Sequence, residues 1–336
     1  MGKVAINGLG RIGRLTLRHL LRTPHVQVVA VNDLADAATL AHLVKHDSVH
    51  GTADFPVAAD GDHLVLDGRR IRAFSEPDPG RVPFGALGAQ VVLECTGRFT
   101  ARAQAAAHLR EGVAHVLLGA PSDDADRTVV MGVNEETLHP GTDRVVSAAC
   151  GATNCLVPVA KVLDDAFGLD RGFVTVVQSY ANDQRILDLP HPDLRLARAA
   201  ALNMIPTGTP AARCAGRVLP GLEGRLEGLA VRVPTPDGSI LDLTATLRSE
   251  ATLEAVHSAF RQAAASGPIA PYLEVLDEEL VSADLRSRAA SALYDPFLTR
   301  LLGPRMVKVF AWHDNEWAYA ARLRDLCLHL LGGAGR

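Results

Sequence analysis

Gly8-Leu9-Gly10-Arg11-Ile12-Gly13 follows directly on the apolar run Lys3-Val4-Ala5-Ile6-Asn7, and this arrangement constrains the fold more than anything else in the chain. A second apolar run, Val26 to Val31, ends at Asn32-Asp33, and between the two runs Ile12, Leu15, Leu17, Leu20 and Leu21 recur at mostly helical spacing. A strand, helix and strand of these lengths predict a right-handed parallel crossover, the opening of a doubly wound sheet. In such a unit the first glycine permits a tight turn, the second lets backbone approach a pyrophosphate, and the third lets the helix pack closely on the strand. The helix start then presents its N–H groups to the phosphates. Asp33 stands at the end of the second strand, where a carboxylate accepts hydrogen bonds from ribose hydroxyls and repels a 2′-phosphate, which favours NAD over NADP. Gly8, Gly10, Arg11, Ile12, Gly13, Asn32 and Asp33 are therefore the expected cofactor contacts, with Thr96 joining them from a later strand end.

The remainder of the first 150 residues alternates strand and helix patterns, as α/β domains do. Strands are predicted at Val91-Val92-Leu93, Val116-Leu117-Leu118, Val129-Val130-Met131 and Val145-Val146, with a helix from Ala101 to Arg110. After Cys150 the pattern changes to an amphipathic helix around Leu156 to Phe167 and long strands at Phe173–Tyr180, Leu226–Val233, Ile240–Leu247 and Val307–Trp312. These predict a larger, mainly antiparallel sheet. Residues 181–210, rich in Arg and Pro, read as an ordered functional loop. The expected division is a dinucleotide-binding domain over 1–150 and a catalytic domain over 151–315, with a terminal helix in 316–336 packing back on the first.

Composition narrows the partner. Of 336 residues 48% are hydrophobic, enough for two folded cores, and the formal net charge of −4 gives no electrostatic excess for nucleic acid or an anionic membrane. A small-molecule substrate is the expectation. Five scattered cysteines, Cys95, Cys150, Cys155, Cys214 and Cys327, fit free thiols in a reducing compartment better than a disulfide framework. No secretory h-region follows Met1 and no apolar run reaches the ~18 residues of a membrane span, so the expected location is the cytoplasm.

Ala5-Ile6-Asn7-Gly8-Leu9-Gly10-Arg11-Ile12-Gly13-Arg14, Asn32-Asp33-Leu34, His46-Asp47-Ser48-Val49-His50-Gly51, Glu94-Cys95-Thr96-Gly97, Arg232-Val233-Pro234-Thr235-Pro236 and Asp314-Asn315-Glu316-Trp317 together resemble phosphorylating glyceraldehyde-3-phosphate dehydrogenases over essentially the whole chain. The resemblance implies a Rossmann domain plus an α/β catalytic domain, NAD as cofactor, a homotetramer with the 181–210 loop at a subunit interface, and Asn315 on the nicotinamide carboxamide. That family oxidises an aldehyde through a cysteine thiolate paired with a histidine base. Here the nucleophile's segment reads Cys150-Gly151-Ala152-Thr153-Asn154-Cys155, with Gly151 in the nucleophile's place, and the base's segment reads Val177-Gln178-Ser179-Tyr180, with Gln178 in place of the histidine. A glutamine amide does not titrate near neutral pH, whereas a positioned base contributes ~10²- to 10⁴-fold. Of the family's attacking-phosphate contacts, Cys150, Ala152 and Thr209-Pro210 stand where Ser, Thr and Thr-Gly are usual, while Arg198 and Arg232 remain as candidates for an anionic or phosphorylated group on the substrate.

Two readings of Cys150 stay open: a small packing residue, or a displaced nucleophile whose pKa a helix N-terminus lowers. Cys155 and Cys95 read as packing thiols. His46 and His50 share the family's loop pattern and give no metal-ligand spacing, so no metal is expected; His313, beside Asn315 where the family has an aromatic residue, reads as packing or as a proton-transfer group. Three functions follow: an NAD-dependent oxidoreductase with an altered reaction, a catalytically silent NAD-binding homologue, and retained glyceraldehyde-3-phosphate oxidation through Cys150.

Overall fold

The computed structural model describes residues 1–332. It contains seven α-helices: α1 (Arg11–Leu21), α2 (Ala37–Lys45), α3 (Arg102–Ala105), α4 (Gly151–Phe167), α5 (Ala211–Val218), α6 (Leu253–Ala265) and α7 (Trp317–Leu330). The described chain divides into two compact units, one of residues 1–129, 135–149 and 320–332, the other of 130–134 and 150–319. Most of α7 counts with the first unit, and residues 333–336 of the predicted terminal helix lie outside the described residues.

The first unit is built on a nine-stranded sheet. From Arg69–Phe74 the order runs through Val26–Asn32, Gly2–Asn7, Val91–Glu94, His115–Leu118 and Val145–Ser147 to Arg127–Thr128, every pair parallel. An antiparallel meander, Val57–Asp60 and His63–Leu66, extends the other edge. The strands Val91–Glu94, His115–Leu118 and Val145–Ser147 are buried throughout, which explains their unbroken apolar runs. The chain winds from Gly2–Asn7 toward one edge and then returns to its other side at Val91–Glu94, so a crevice opens where these two strands end.

Two local expectations shift here. The predicted strand at Val129–Met131 is instead Arg127–Thr128, and Val130 passes into the core of the second unit through a turn in which its N–H donates to Asn134 Oδ1 at 2.8 Å. Burial of an apolar triplet does not require a ladder. The helix expected over 101–110 is α3 followed by a 3₁₀ turn, Ala106–His108, where buried His108 ties to Glu94 at 3.1 Å.

The second unit carries a seven-stranded sheet in the order Ile205–Gly208, Leu226–Val233, Leu169–Ser179, Ser239–Leu247, Met306–His313, Ala292–Leu302 and Leu273–Val275. Four of its six pairings are antiparallel, so the sheet is mainly antiparallel. Helix α4 lies against it, burying Cys155, Leu156, Val159, Ala160 and Leu163 with Val174, Leu241 and Val309. The helix starts five residues before the predicted Leu156, at Gly151, because Ala152, Thr153 and Asn154 are also buried although they carry no apolar periodicity. Within 181–210 the expected irregular loop holds, except that Ile205–Gly208 pairs with Leu226–Val233.

Candidate functional site

In the first unit the three glycines take three distinct roles. Gly8 has φ +92°, and a Cβ on it would meet the Thr96 nitrogen at 2.7 Å. Gly13 faces the Gly8 carbonyl so closely that a Cβ would lie 2.0 Å from the oxygen. Gly10 has nothing within 4 Å of a Cβ and is the N-cap of α1, with no side chain to cap the helix. The first and third weld turn to helix; the second leaves room above an open helix start with no acidic residue in its first turn.

A cleft of about 240 Å³ occupies this crevice, lined among others by Asn7, Gly8, Gly10, Asn32, Asp33 and Thr96. Asp33 accepts from the Leu9 N–H at 2.7 Å and from Ala35 at 3.3 Å, which leaves lone pairs for a ligand's hydroxyls. Asn32 is fully used by the protein: its amide donates to Asn7 Oδ1 at 2.7 Å and to the Glu76 carbonyl at 2.9 Å, and its Oδ1 accepts from the Glu76 N–H. It shapes the wall of the cleft. Behind it Glu94, 2% exposed, accepts from Asn7 at 2.6 Å, from the Thr96 N–H at 2.9 Å, from the Thr96 hydroxyl and from His108, so one buried carboxylate fixes two strand ends and the turn after them. Glu76 and His108 escaped the sequence reading, and Glu94 entered it only as part of a motif, because they meet the fingerprint only through strand order.

Three expected cofactor residues of the first unit stand apart from the lining, Gly13 because it packs on the Gly8 carbonyl, and Arg11 and Ile12. The Arg11 guanidinium turns to Asp47, bidentate at 3.0 and 3.2 Å. Burial works against the Asp47 charge, but the N–H groups of His50 and Val49 and the Arg11 cation outweigh it and hold the carboxyl at about 2. Ile12 is half-buried in the first turn of α1. The cleft is lined instead by Glu76, Pro77, Arg98 and Phe99 as well. The residues present fit a dinucleotide: an open helix start for the pyrophosphate, a carboxylate for the ribose, and a glycine where backbone must be approached.

In the second unit Gly151 is the first residue of α4 and Cys150 its N-cap. The Cys150 sulfur lies 3.2 Å from the Thr153 hydroxyl. Burial pushes its thiol up, opposed by the Thr153 hydroxyl, by N–H groups of the first turn and by Arg232, so the helix start does not yield the lowered pKa that the displaced-nucleophile reading expects. Cys155 is fully buried beneath the Ala311 and Trp312 carbonyls, as a packing thiol would be.

Gln178 and Arg232 are register partners on adjacent parallel strands. Arg232 donates to the Ser179 carbonyl at 3.2 Å and stands 3.7 Å from Asp183. Arg198 is not brought to them: it lies exposed in the 181–210 loop, paired with Asp188 at 3.0 Å. Thr209 accepts from the Ala211 N–H at the start of α5, which leaves its hydroxyl proton available to an anion. The Asn315 side-chain oxygen accepts from the Gly238 N–H at 3.1 Å and from the Ser239 hydroxyl at 3.0 Å, so its amide N–H groups are the ones left for a ligand. His313, 1% exposed, has no partner among the described residues for either ring nitrogen, and burial pushes its pKa down to about 4.

A doubly wound sheet with a phosphate-receiving glycine turn and a ribose-facing carboxylate, followed by a second α/β unit with a mainly antiparallel sheet, defines a dinucleotide-dependent oxidoreductase. Residues 2–102 match the family described as glyceraldehyde 3-phosphate dehydrogenase, NAD binding domain, and residues 149–315 match the C-terminal domain of the same enzyme. The chain is 49% identical over 328 residues, 98% of each chain, to glyceraldehyde-3-phosphate dehydrogenase of Geobacillus stearothermophilus. It is 49% identical over 328 residues to glyceraldehyde-3-phosphate dehydrogenase 1 of Bacillus subtilis, again 98% of each, and 46% identical over 325 residues to the Streptomyces coelicolor enzyme, covering 96% of this chain and 97% of the other. The chain belongs to the glyceraldehyde-3-phosphate dehydrogenase family, and its cofactor is NAD. Among the described residues no helix is long and apolar enough to cross a membrane.

Proposed function

We propose that this chain is an NAD-dependent oxidoreductase that oxidises a small, anionic or phosphorylated substrate without forming a thioester. One observation carries the reading: the first residue of α4, where the family resemblance puts the nucleophile, is Gly151, and the neighbouring Cys150 thiol turns to Thr153 with its pKa raised. Gln178 stands in the base's place and offers an amide only.

NAD supplies the hydride acceptor. Gly8, Gly10, Gly13 and Asp33 would hold it in the first unit, and the Asn315 amide N–H groups would take the nicotinamide carboxamide oxygen. The substrate, an alcohol or a hydrated aldehyde, loses its C–H as hydride and its hydroxyl proton to water, so an alcohol ends as a carbonyl compound and a hydrate as an acid. Arg232, three-quarters or more buried and held by the Ser179 carbonyl, is the cation that would receive the substrate's anionic group. Gln178, its register partner, would orient a substrate oxygen by hydrogen bonding.

A second reading is favoured by the relatives: all those named above are glyceraldehyde-3-phosphate dehydrogenases. Under it Cys150 would be the thiol. Stoichiometric enzyme mixed with NAD, glyceraldehyde 3-phosphate and arsenate separates the two. A burst of NADH near one equivalent, abolished in Cys150→Ser, establishes the second reading. No burst, with NADH formed from an alcohol or hydrate in a substrate screen, supports the first; tight NAD binding with no turnover of any substrate leaves a silent NAD-binding homologue.

The 181–210 loop exposes Ile186, Leu187, Leu189, Leu194 and Leu202, which supports assembly of several copies through this segment. Sedimentation of the wild type against a Leu194→Asp variant tests it.

A further inference from the structure

The strand Met306–His313 buries alternate side chains, Val307, Val309, Ala311 and finally His313. The first three join the apolar core against α4. A fourth apolar side chain would satisfy that face; a histidine whose two nitrogens lack partners gives up one donor and one acceptor there. A polar group this deep in the fold points to something that meets it.

Gly151 shows where that something sits. A Cβ on Gly151 would lie 3.7 Å from His313 Cδ2, 3.5 Å from the Asn315 carbonyl oxygen and 3.6 Å from the Asn315 Cα, all ordinary contacts. With no side chain at 151, a niche remains between the start of α4 and the ring edge that carries Nε2. The Asn315 carbonyl oxygen borders this space as an acceptor, and Nε2, bonded to the ring carbon that borders it, is a second acceptor when the proton is on Nδ1. A niche walled by acceptors selects a donor, and a hydrated aldehyde carries two hydroxyl donors on one carbon where the free carbonyl has none.

We propose that the niche between Gly151 and His313 binds the hydroxyl groups of a hydrated aldehyde or an alcohol, with His313 Nε2 accepting the hydrogen bond of one of them. The proposal rests on the reading that the substrate is oxidised without a thioester. His313 is here a binding and positioning residue, and its identity sets the preference for hydrate over carbonyl.

The test uses the full chain with ¹⁵N-labelled histidine and NADH present, so that no oxidation occurs, and glyceraldehyde 3-phosphate, which is largely hydrated in water, as probe. The His313 nitrogens are identified by their loss in His313→Phe. The expected result is a shift of Nε2 on saturation, about tenfold weaker probe binding in His313→Phe, the loss of one hydrogen bond, and loss of the shift in Gly151→Ala, whose added methyl fills the niche at ordinary contact. An Nε2 signal that the probe leaves unmoved in the wild type overturns the proposal, as does equal affinity in wild type and Gly151→Ala. The outcomes also separate it from the reading beneath it. A shift without NADH from any substrate leaves the niche and removes the dehydrogenase, whereas equal NADH formation by the wild type and both variants removes the niche and leaves the dehydrogenase.

Discussion

The α-carbon of Gly13 sits against the carbonyl of Gly8, so that a methyl group on Gly13 would stand 2.0 Å from that oxygen. Turn and helix are thereby fixed to one another. Because the obstacle is backbone, Gly13→Ala must displace either α1 or the turn, at a cost of about 1–3 kcal/mol. The expected outcome is a lower thermal midpoint and at least tenfold weaker NAD binding by calorimetry. Gly10→Ala meets nothing within 4 Å, so its midpoint stays at the wild-type value while NAD affinity falls.

The pair Arg11–Asp47 predicts an acid limb. The Asp47 carboxyl falls from the ordinary 3.8 to about 2 in the folded chain, with its side chain only 2% exposed. A depressed carboxyl contributes stability that is complete above the unfolded pKa and is lost as pH falls through the folded one, here ~2 kcal/mol between about pH 4 and 2. Asp47→Asn should be less stable than the wild type at neutral pH and should converge with it in that window. Urea titrations at stepped pH would show it; parallel curves at every pH would refute it.

His313 works in the opposite sense to a histidine that gains a partner. Its folded pKa of about 4 lies below the ordinary 6.5, so the unfolded chain takes up the proton first and stability declines as pH falls from 6.5 toward 4, by ~3 kcal/mol in all. His313→Phe removes that slope. The difference between the two stability–pH curves isolates it from the other buried histidines, and an unchanged slope would contradict the burial argument.

Gly151→Cys is expected to fold like the wild type, because a Cβ there has only ordinary contacts at 3.5 Å and beyond. Joined with Gln178→His it restores a thiol and an imidazole at the positions the family resemblance assigns them. The single-turnover NADH burst with glyceraldehyde 3-phosphate should then rise by about 10²-fold or more over the wild type. A wild-type burst as large as that of the double variant would show that the parent reaction never depended on these positions.

The sequence determined by itself what local order encodes. Gly8, Gly10, Gly13 and Asp33 lie within one crossover unit, where the turn, the helix start and the second strand end are all fixed by neighbours in the chain, and all but Gly13 line the cleft they predict. The mainly antiparallel second sheet was equally legible in its long alternating runs. The start of α4 was legible only to within its first turn, a helix N-terminus just after Cys150, because Ala152 and Thr153 are buried by the elements that meet them and carry no periodicity of their own. Tertiary structure alone decided that Glu94 ties Asn7, Thr96 and His108 behind the cleft, that the Arg11 guanidinium serves Asp47, that Arg198 stays with Asp188 in its loop, and that His313 lies beside Gly151. The physical reason is the same in each case. Periodicity states which face of an element is buried, whereas strand order and register choose which distant face it meets, and those choices minimise the free energy of the whole sheet rather than of any one segment.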